Sequence, residues 1–362
     1  MEYLFLLVTS WLITPLKALV SIVMLLGFAV VNTWYERKVS ALMQDRIGAN
    51  RASIFGLDLA GLVNTIVADP VKAIFKEDFV PKGTSLFLHN LAPFLATVPV
   101  LICFAAIPFG PPLVYDGVSY ALQVANLNVG VLFILAMGSL AVYGCALAGW
   151  VSNNKFSMLG ALRASAQMIS YEVTLGISLV GLLAIYGTLD LNEITAFQGG
   201  TILRGALPAW GIFLNPVGCL LFFIALMAET KRAPFDLPES ESDLVAGYFT
   251  EYSGMKFLLF WLGEFSEVAV LAAVVTVLFL GGWQVPYFDI TTLSFAPHIG
   301  ALVFFAKLSL LCLLQIMIRW TLPRFRFDQV MSLCWKYMLP ISIANLVVTI
   351  FILLVQKEGL PW

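Results

Sequence analysis

Long apolar stretches alternate with short polar connections along almost the whole chain. Eight of these stretches are long enough to cross a hydrocarbon core of about 30 Å, which takes about 20 helical residues. They lie near residues 11–34, 90–110, 129–151, 163–186, 213–230, 255–281, 299–319 and 338–356. The pattern predicts an all-α polytopic membrane protein whose residues 1–362 form a single membrane domain.

Two connections are longer and more polar than the others, at 35–89 and 229–254. In the first, apolar residues recur at helical spacing from Leu59 to Phe75, which predicts an amphipathic helix lying in the membrane interface. We expect Asp69 to cap a second short helix there and Pro70 to begin it. The alternative is a loop helix that only seals against the neighbouring spans.

Composition and charge agree with a membrane protein and predict its orientation. Hydrophobic residues make up 60% of the chain, charged residues 12%, and mean hydropathy is +0.92, outside the range of soluble domains. Sixteen of the 20 lysines and arginines fall in connections on one side of the eight spans. Positive residues favour the cytoplasm, so we predict these loops there and both termini on the outer, periplasmic side. The first stretch has no basic flank before it, which favours a retained span over a cleaved signal.

Acidic residues crowd into the second long connection. Six of the chain's 22 acidic residues are found there: Glu229, Asp236, Glu239, Glu241, Asp243 and Glu251. Carboxylates are unfavourable near lipid, so such a group points to a function. Neighbouring carboxylates raise one another's pKa, and this makes proton exchange near neutral pH possible.

Three further acids lie inside predicted spans. Glu172 and Glu264 each follow a loop-side basic residue by roughly nine positions, or about 13 Å of helix, and Glu267 shares a helix face with Glu264. Together with the acidic loop they outline a polar path half-way across the membrane. Lys307 is a possible counter-charge, and the alternative for a single acid is a structural pair, for example Glu229 with Arg232. Hydrogen bonds along the path would come from Gln167, Ser170 and Tyr171.

Several motifs together resemble one known family. AETKRAPFDLPESESDLVAGYFTEYSGMKF at 228–257 and WYERKVSALMQDRIGANR at 34–51 resemble signatures of an NADH-quinone oxidoreductase family, that of the respiratory complex I membrane subunit called NuoH in bacteria. Shorter matches are FKEDFVP at 75–81, LRASAQMISYEV at 162–173 and PRFRFDQ at 323–329. The resemblance covers nearly the whole chain, and the motif at 228–257 is long enough to be highly specific.

The resemblance implies a membrane subunit of proton-pumping NADH:quinone oxidoreductase. Such a subunit forms the quinone-access chamber and couples quinone reduction to proton translocation, without a complete active site of its own. Quinone, either ubiquinone or menaquinone, would be the substrate, with FMN and iron–sulfur clusters only on partner subunits. Implied partners are the iron–sulfur and 49-kDa-type hydrophilic subunits of the peripheral arm, small and antiporter-like membrane subunits, and the lipid bilayer, with no nucleic acid. The implied location is the bacterial cell inner (plasma) membrane.

The resemblance and the pattern of charges together give expected roles to residues. Those expected at the quinone are Arg37, Arg46, Asp69, Lys72, Arg232 and Arg324. Those expected in proton coupling are Tyr171, Glu172, Glu229, Asp236, Glu239, Glu241, Asp243, Glu251, Glu264 and Glu267. Neither catalytic residues nor metal ligands are expected. Positions that depart from the family pattern are Ala49, Asn64, Thr65, Pro70, Phe265 and the additional Glu267.

Three other functions remain open at this point. The chain would fit the homologous membrane subunit of a hydrogenase-type redox-driven proton pump. A stand-alone proton-coupled transporter is also possible, although such transporters often carry inverted repeats that this sequence does not display. A purely structural anchor for soluble subunits would not require acids at mid-membrane depth.

Overall fold

The computed structural model describes residues 2–50, 53, 61–115, 118–202, 205–288, 290 and 295–357, and most of its described part is helical. The helices are α1 Glu2–Met43, α2 Asp69–Phe75, α3 Leu86–Phe104, α4 Gly130–Val151, α5 Lys155–Tyr186, α6 Leu191–Phe197, α7 Gly211–Leu214, α8 Pro216–Glu229, α9 Glu241–Leu244, α10 Gly254–Phe279, α11 Ala296–Thr321, α12 Phe327–Ser332 and α13 Leu339–Lys357. Two small antiparallel hairpins pair β1 Leu113–Tyr115 with β2 Val118–Tyr120, and β3 Thr201–Ile202 with β4 Leu207–Pro208. The prediction of an all-α polytopic membrane protein is confirmed.

Seven of the eight predicted spans correspond to helices long and apolar enough to cross a membrane, counted within the described residues. The remaining one, predicted at 213–230, is divided at Asn215 into α7 and α8. The Asn215 side chain accepts a hydrogen bond from the Gly218 N–H at 2.8 Å and so caps α8, with Pro216 in its first turn. α8 has 14 residues and is about 21 Å long, shorter than a full span.

α10 is the central helix of the bundle. In its most apolar stretch 89% of the residues are buried within the chain, whereas in each of the other six long spans 50% or fewer are buried. It packs against α1, α3 and α11. Gly263 lets α3 approach closely, because a Cβ there would come within 2.9 Å of the Thr97 hydroxyl oxygen. Small residues at such contacts bring helix backbones together in membranes.

The charged connections meet at one end of the bundle, which we call the loop end. Ion pairs between segments distant in sequence hold them there: Arg163 with Asp243 at 3.5 Å, Lys256 with Asp78 at 2.9 Å, and Arg324 with Asp236 at 2.7 Å. The basic loops predicted on one side of the membrane therefore do lie together. Which side of the membrane the loop end faces stays a prediction.

The first long connection differs in detail from the predicted loop at 35–89. α1 continues to Met43, so the positions from 35 to 43 are helical. A π-helical turn at Asn64–Ala68 runs directly into α2, where the amphipathic helix was expected. The expected N-cap at Asp69 is wrong, because Asp69 has helical φ and ψ and its carboxylate binds Arg37 instead. Leu59 and Arg51 lie outside the described residues.

Candidate functional site

The acidic connection folds into the loop end instead of projecting from it. Gly247 has a φ of +56°, and a Cβ there would lie 1.8 Å from the Pro238 carbonyl oxygen. On its other side Gly160 of α5 approaches it, leaving 2.7 Å between the Gly247 Cα and a Cβ built on Gly160. Glycine has the positive φ and the small size that this packing demands. As a result Tyr248 is fully buried and Asp236 is 7% exposed.

Two carboxyl groups, Glu239 from this connection and Glu264 from α10, share a hydrogen bond. Such a bond needs one proton between the two groups. Tyr248 also donates its hydroxyl to Glu264 Oε1 at 2.6 Å. Burial and the adjacent Glu264 carboxylate raise the pKa of Glu239 well above its usual value. The pair therefore carries its proton on Glu239 and its charge on Glu264 near neutral pH.

Lys231 supplies the positive charge beside this pair. Its Nζ lies 3.9 Å from Glu267 Oε2 and donates to Cys145 Sγ at 3.5 Å. The same ammonium sits 5.7 Å from the centre of the Tyr248 ring. Lys231, Tyr248, Glu264 and Glu267 line a cavity of about 10 Å³, which is room for about one water molecule. Two acids, one cation and one hydroxyl thus share a space in which a proton can move.

Two more acids extend this cluster into the bundle. Glu229 at the end of α8 is 6% exposed and lies within electrostatic range of Glu267 and Glu172. Glu172 accepts a hydrogen bond from the Ser139 hydroxyl of α4. Glu229 does not pair with Arg232, the structural alternative considered from the sequence, since Arg232 binds Glu36. The acidic side chains therefore form a spatial series that extends from the acidic connection to Glu172 on α5.

The three side chains expected to donate along the path bind backbone carbonyls instead. Tyr171 donates to Val330 O at 2.9 Å, so its hydroxyl faces α12 and not the acids. Gln167 donates to Ala228 O and Phe235 O, which holds α5 against the start of the acidic connection. Ser170 donates to Ala166 O within its own helix. In this structure these residues position the backbone around the acids.

The other acids of the connection lie at the rim of the cluster. Asp236 pairs with Arg324, which also donates to Ser240 Oγ at 3.0 Å; burial raises the pKa of Asp236 although Arg324 opposes the rise. Asp243 pairs with Arg163, and Glu251 accepts from Asn154 Nδ2 at 2.7 Å. The side chain of Glu241 lies outside the described part of the structure.

Glu36 forms a second charged cluster that the sequence reasoning missed. Its two oxygens bind Arg232 Nη1 at 3.0 Å and Arg319 Nη1 at 2.9 Å, which joins α1, the acidic connection and α11. The Arg232 guanidinium also lies 4.0 Å from the centre of the Phe265 ring. A signal was present in the sequence, because Glu36 stands beside Arg37 in the WYERK motif. Lys231 and Tyr248 were also missed as partners of the acids, although both lie in the longest motif.

An open cavity of about 290 Å³ lies between α1, α2 and the start of α10. Three of the residues expected at the quinone line it, and Arg37 Nη2 binds Asp69 Oδ2 at 2.5 Å. Gly254 allows α2 to approach α10 closely, since a Cβ there would lie 3.2 Å from Lys76 O. The lining residues are Arg37, Asp69, Lys72, Ala73, Lys76, Gly254, Phe257, Leu258 and Trp261.

The remaining predicted quinone residues lie elsewhere. Arg46 is exposed and donates to Gln44 Oε1 at 2.8 Å, and Arg232 and Arg324 belong to the two clusters above. Lys307, predicted as a possible counter-charge to the acids, is at the opposite end of the bundle. There it donates to the carbonyls of Leu280, Gly282 and Gln284. Among the described residues no group of three or more His, Cys, Asp or Glu side chains is arranged to hold a metal ion.

Comparison with known proteins settles the family. The family model described as NADH dehydrogenase matches residues 16–350. The chain belongs to this family. The NADH-quinone oxidoreductase subunit designated H of Bdellovibrio bacteriovorus is 39% identical over 95% of this chain and 97% of that protein. The subunit designated H 2 of Geobacter sulfurreducens is 45% identical over 91% and 93%, and the one designated H 1 of Cytophaga hutchinsonii is 43% identical over 90% and 92%.

The relatives are named as subunits of NADH-quinone oxidoreductase, and this chain has seven described helices that are long and apolar enough to cross a membrane. The matched region includes both charged clusters and the open cavity, which all lie between residues 16 and 350. This chain is therefore a membrane protein of that family, with its ionisable side chains concentrated at one end.

Proposed function

We propose that this chain is the membrane subunit of a proton-pumping NADH:quinone oxidoreductase that forms the quinone-access chamber and couples quinone reduction to proton translocation. The relatives, all named as subunits of NADH-quinone oxidoreductase, support the assignment. The observation that carries the coupling role is the buried carboxyl pair of Glu239 and Glu264 beside Lys231. A purely structural anchor would not need a proton held in this way.

The open cavity is proposed as the entrance for quinone from the membrane. Phe257, Leu258 and Trp261 give it an apolar wall on α10, which suits an isoprenoid tail. Arg37, Asp69 and Lys72 form its polar side, where Arg37 and Lys72 would donate hydrogen bonds to a headgroup carbonyl and Asp69 accepts one from Arg37. Arg232 and Arg324 lie further along the loop end, and Arg46 lies outside the cavity lining.

The coupling step is proposed to be a change in where the carboxyl pair holds its proton. Quinone receives electrons from iron–sulfur clusters of a partner subunit, and the negative charge that develops attracts protons. At an effective dielectric constant near 20, charges 4 Å apart interact by about 4 kcal/mol, compared with about 1 kcal/mol in water. The Glu239 proton moves toward that charge and leaves Glu239 negatively charged. The new charge alters the electrostatic balance around Lys231 and so changes the attraction of Lys231 for Glu264 and Glu267. Glu229 and Glu172 carry the change onward into the bundle.

The proposed location is the bacterial plasma membrane with the loop end facing the cytoplasm. The flavin and iron–sulfur subunits would then dock over the acidic connection, and the small and antiporter-like membrane subunits along the bundle. Mild detergent extraction followed by identification of the co-purifying chains tests this arrangement. A nickel-containing hydrogenase module in place of an NADH-oxidising flavin subunit would support the hydrogenase-type pump, and a lone chain would support the transporter.

The coupling proposal is tested by Glu239→Gln in the assembled complex. We expect assembly and electron transfer to an artificial acceptor upstream of quinone to persist, while NADH:quinone turnover and proton pumping fall at least about tenfold, because glutamine cannot release a proton (tenfold corresponds to about 1.4 kcal/mol). Asp328→Asn is the matched control, since Asp328 is an exposed loop-end acid paired with Arg326. Full pumping in the Glu239 variant would contradict the proposal.

A further inference from the structure

A second large groove lies at the end of the bundle opposite the loop end. It has a volume of about 290 Å³ and is bordered by residues 16–24 of α1, Phe109, residues 121–124 and the start of α11. Its walls are almost wholly apolar, and the residues that form most of them are Leu16, Val20, Met24, Leu122, Ala301 and Phe305.

One cation sits at this groove. Lys17 lines it and donates from Nζ to Ala121 O at 2.7 Å. A lysine ammonium has three donors, so this contact leaves two for another acceptor. None of the ion pairs among the described residues includes Lys17. The groove therefore combines an apolar channel with an ammonium group that lacks an acidic partner in the described part of the chain.

The groove opens to the side of the bundle, toward the surrounding membrane. Leu16, Leu19, Val20 and Val23 on this part of α1 are between 49% and 60% exposed. Lys17 precedes Arg37 by 20 residues on α1, which places it about 30 Å along the helix from the loop end, or about the thickness of a hydrocarbon core. Lysines near helix ends extend their ammonium group to the headgroup region.

We propose that this groove binds an acyl chain of an anionic phospholipid, with the Lys17 ammonium at the lipid phosphate. The charge is complementary, and basic residues between membrane helices are typical of sites for acidic lipids. A helix of a partner protein is a less suitable occupant, because an α-helix with its side chains is about 10 Å or more in diameter and the groove has a volume of only about 290 Å³. A packed helix would also leave Lys17 against hydrocarbon, whereas a phosphate would accept its free donors.

Photo-cross-linking in the intact complex tests the site without relying on turnover. The complex is placed in nanodiscs that contain phosphatidylglycerol or phosphatidylcholine with the same diazirine-bearing acyl chain, and the labelled peptides are mapped. We expect phosphatidylglycerol to label peptides covering 16–24 and 296–305 at least about fivefold more than phosphatidylcholine. Lys17→Gln should remove that preference and Lys17→Arg should retain it. Lys155→Gln, at an exposed loop-end lysine, is the control and should change nothing.

A second variant tests the groove itself. Val20→Trp adds bulk at a half-exposed lining position, and we expect it to reduce labelling by both lipids. Equal labelling by the two lipids in the unmodified complex would mean ordinary surrounding lipid and would overturn the proposal. Cross-links to a partner chain in place of lipid would overturn it as well. Because the readout is lipid labelling, either failure leaves the proposed role in quinone coupling untouched.

Discussion

Two lysines lie against α10, one near the middle of the helix and one just beyond its last turn, and their partners are of different kinds. At the loop end Lys231 faces Glu267, the Cys145 thiol and the Tyr248 ring. At the opposite end the ammonium of Lys307 faces three backbone carbonyls and lies 4.4 Å from the centre of the Trp210 ring. Carboxyl groups change charge when a proton arrives, and carbonyls do not. The part of the helix from its middle toward the loop end can therefore respond to protons, whereas the opposite end, which we call the fixed end, cannot.

The two regions also differ in how completely their buried polar groups are hydrogen-bonded. At the fixed end Lys307 binds the carbonyls of Leu280, Gly282 and Gln284 at 2.7, 3.0 and 2.6 Å. Gln198 and Tyr186 donate to the carbonyls of Val277 and Leu278, so side chains satisfy the final turn of α10. At the loop end one carboxyl oxygen each of Glu229, Asp236 and Glu239 has no protein partner. Unpaired buried polar atoms are unfavourable, which suits a site that must accept protons or water.

The largest effect is expected from Lys231→Met. Removing one partner of a buried ion pair typically costs about 3–5 kcal/mol, because the remaining charge is uncompensated. We expect the acids beside Lys231 to lose their compensating charge, and quinone-coupled proton pumping to fall at least about 100-fold (about 2.8 kcal/mol). Pumping measured in reconstituted vesicles, with Lys155→Met as the control, checks this. A variant that pumps normally would remove the contrast between the two ends.

Lys307→Met should act on stability and leave chemistry largely intact. It deprives three buried carbonyls of a donor, and each unsatisfied group costs about 1–3 kcal/mol, although water can replace part of this. We expect faster hydrogen–deuterium exchange in peptides covering 276–284 and a lower unfolding temperature of the complex. Turnover per assembled complex should stay within about twofold (under 0.5 kcal/mol). A large loss of pumping with unchanged exchange would show that the fixed end also takes part in coupling.

The two ends also differ in how far the sequence predicted them. Hydropathy located the spans because a membrane requires continuous apolar helices. It placed the end of α1 too early, since the charged WYERK positions continue the helix and bind partners in other segments. The acids were recognised as a group from their number. Their pairing was not, because Glu239 reaches Glu264 through a fold at Gly247 that has no periodic pattern.

The pH dependence of local stability is a third test of the contrast. Because burial and Glu264 hold the folded-state pKa of Glu239 above its unfolded value of about 4.3, the folded loop binds this proton more tightly. The stabilisation is complete below the unfolded pKa and is lost as pH rises toward the folded pKa. We expect hydrogen–deuterium exchange of peptides within 229–251, corrected for its intrinsic pH dependence, to quicken as pH rises through this range. Peptides covering 276–284 should show no such change.

Glu239→Gln is the variant that isolates this carboxyl group. Glutamine keeps a hydrogen-bond donor toward Glu264 but has no proton to lose, so the corrected exchange of 229–251 should depend less on pH than in the unmodified complex. A pH dependence that survives in the Gln variant would assign it to another group. Asp236 is the first alternative, because burial raises its pKa as well.

The smallest effect is expected at Phe265. Its ring supports the Arg232 guanidinium at 4.0 Å, and such a contact contributes about 0.5–2 kcal/mol. Phe265→Tyr keeps the aromatic face, so pumping should change less than about twofold, whereas Phe265→Leu removes the face and should raise the KM for quinone by about two- to tenfold (about 0.4–1.4 kcal/mol). Equal KM values in the two variants would mean that Glu36 and Arg319 alone hold Arg232, and that this ring is packing like the apolar residues at the fixed end.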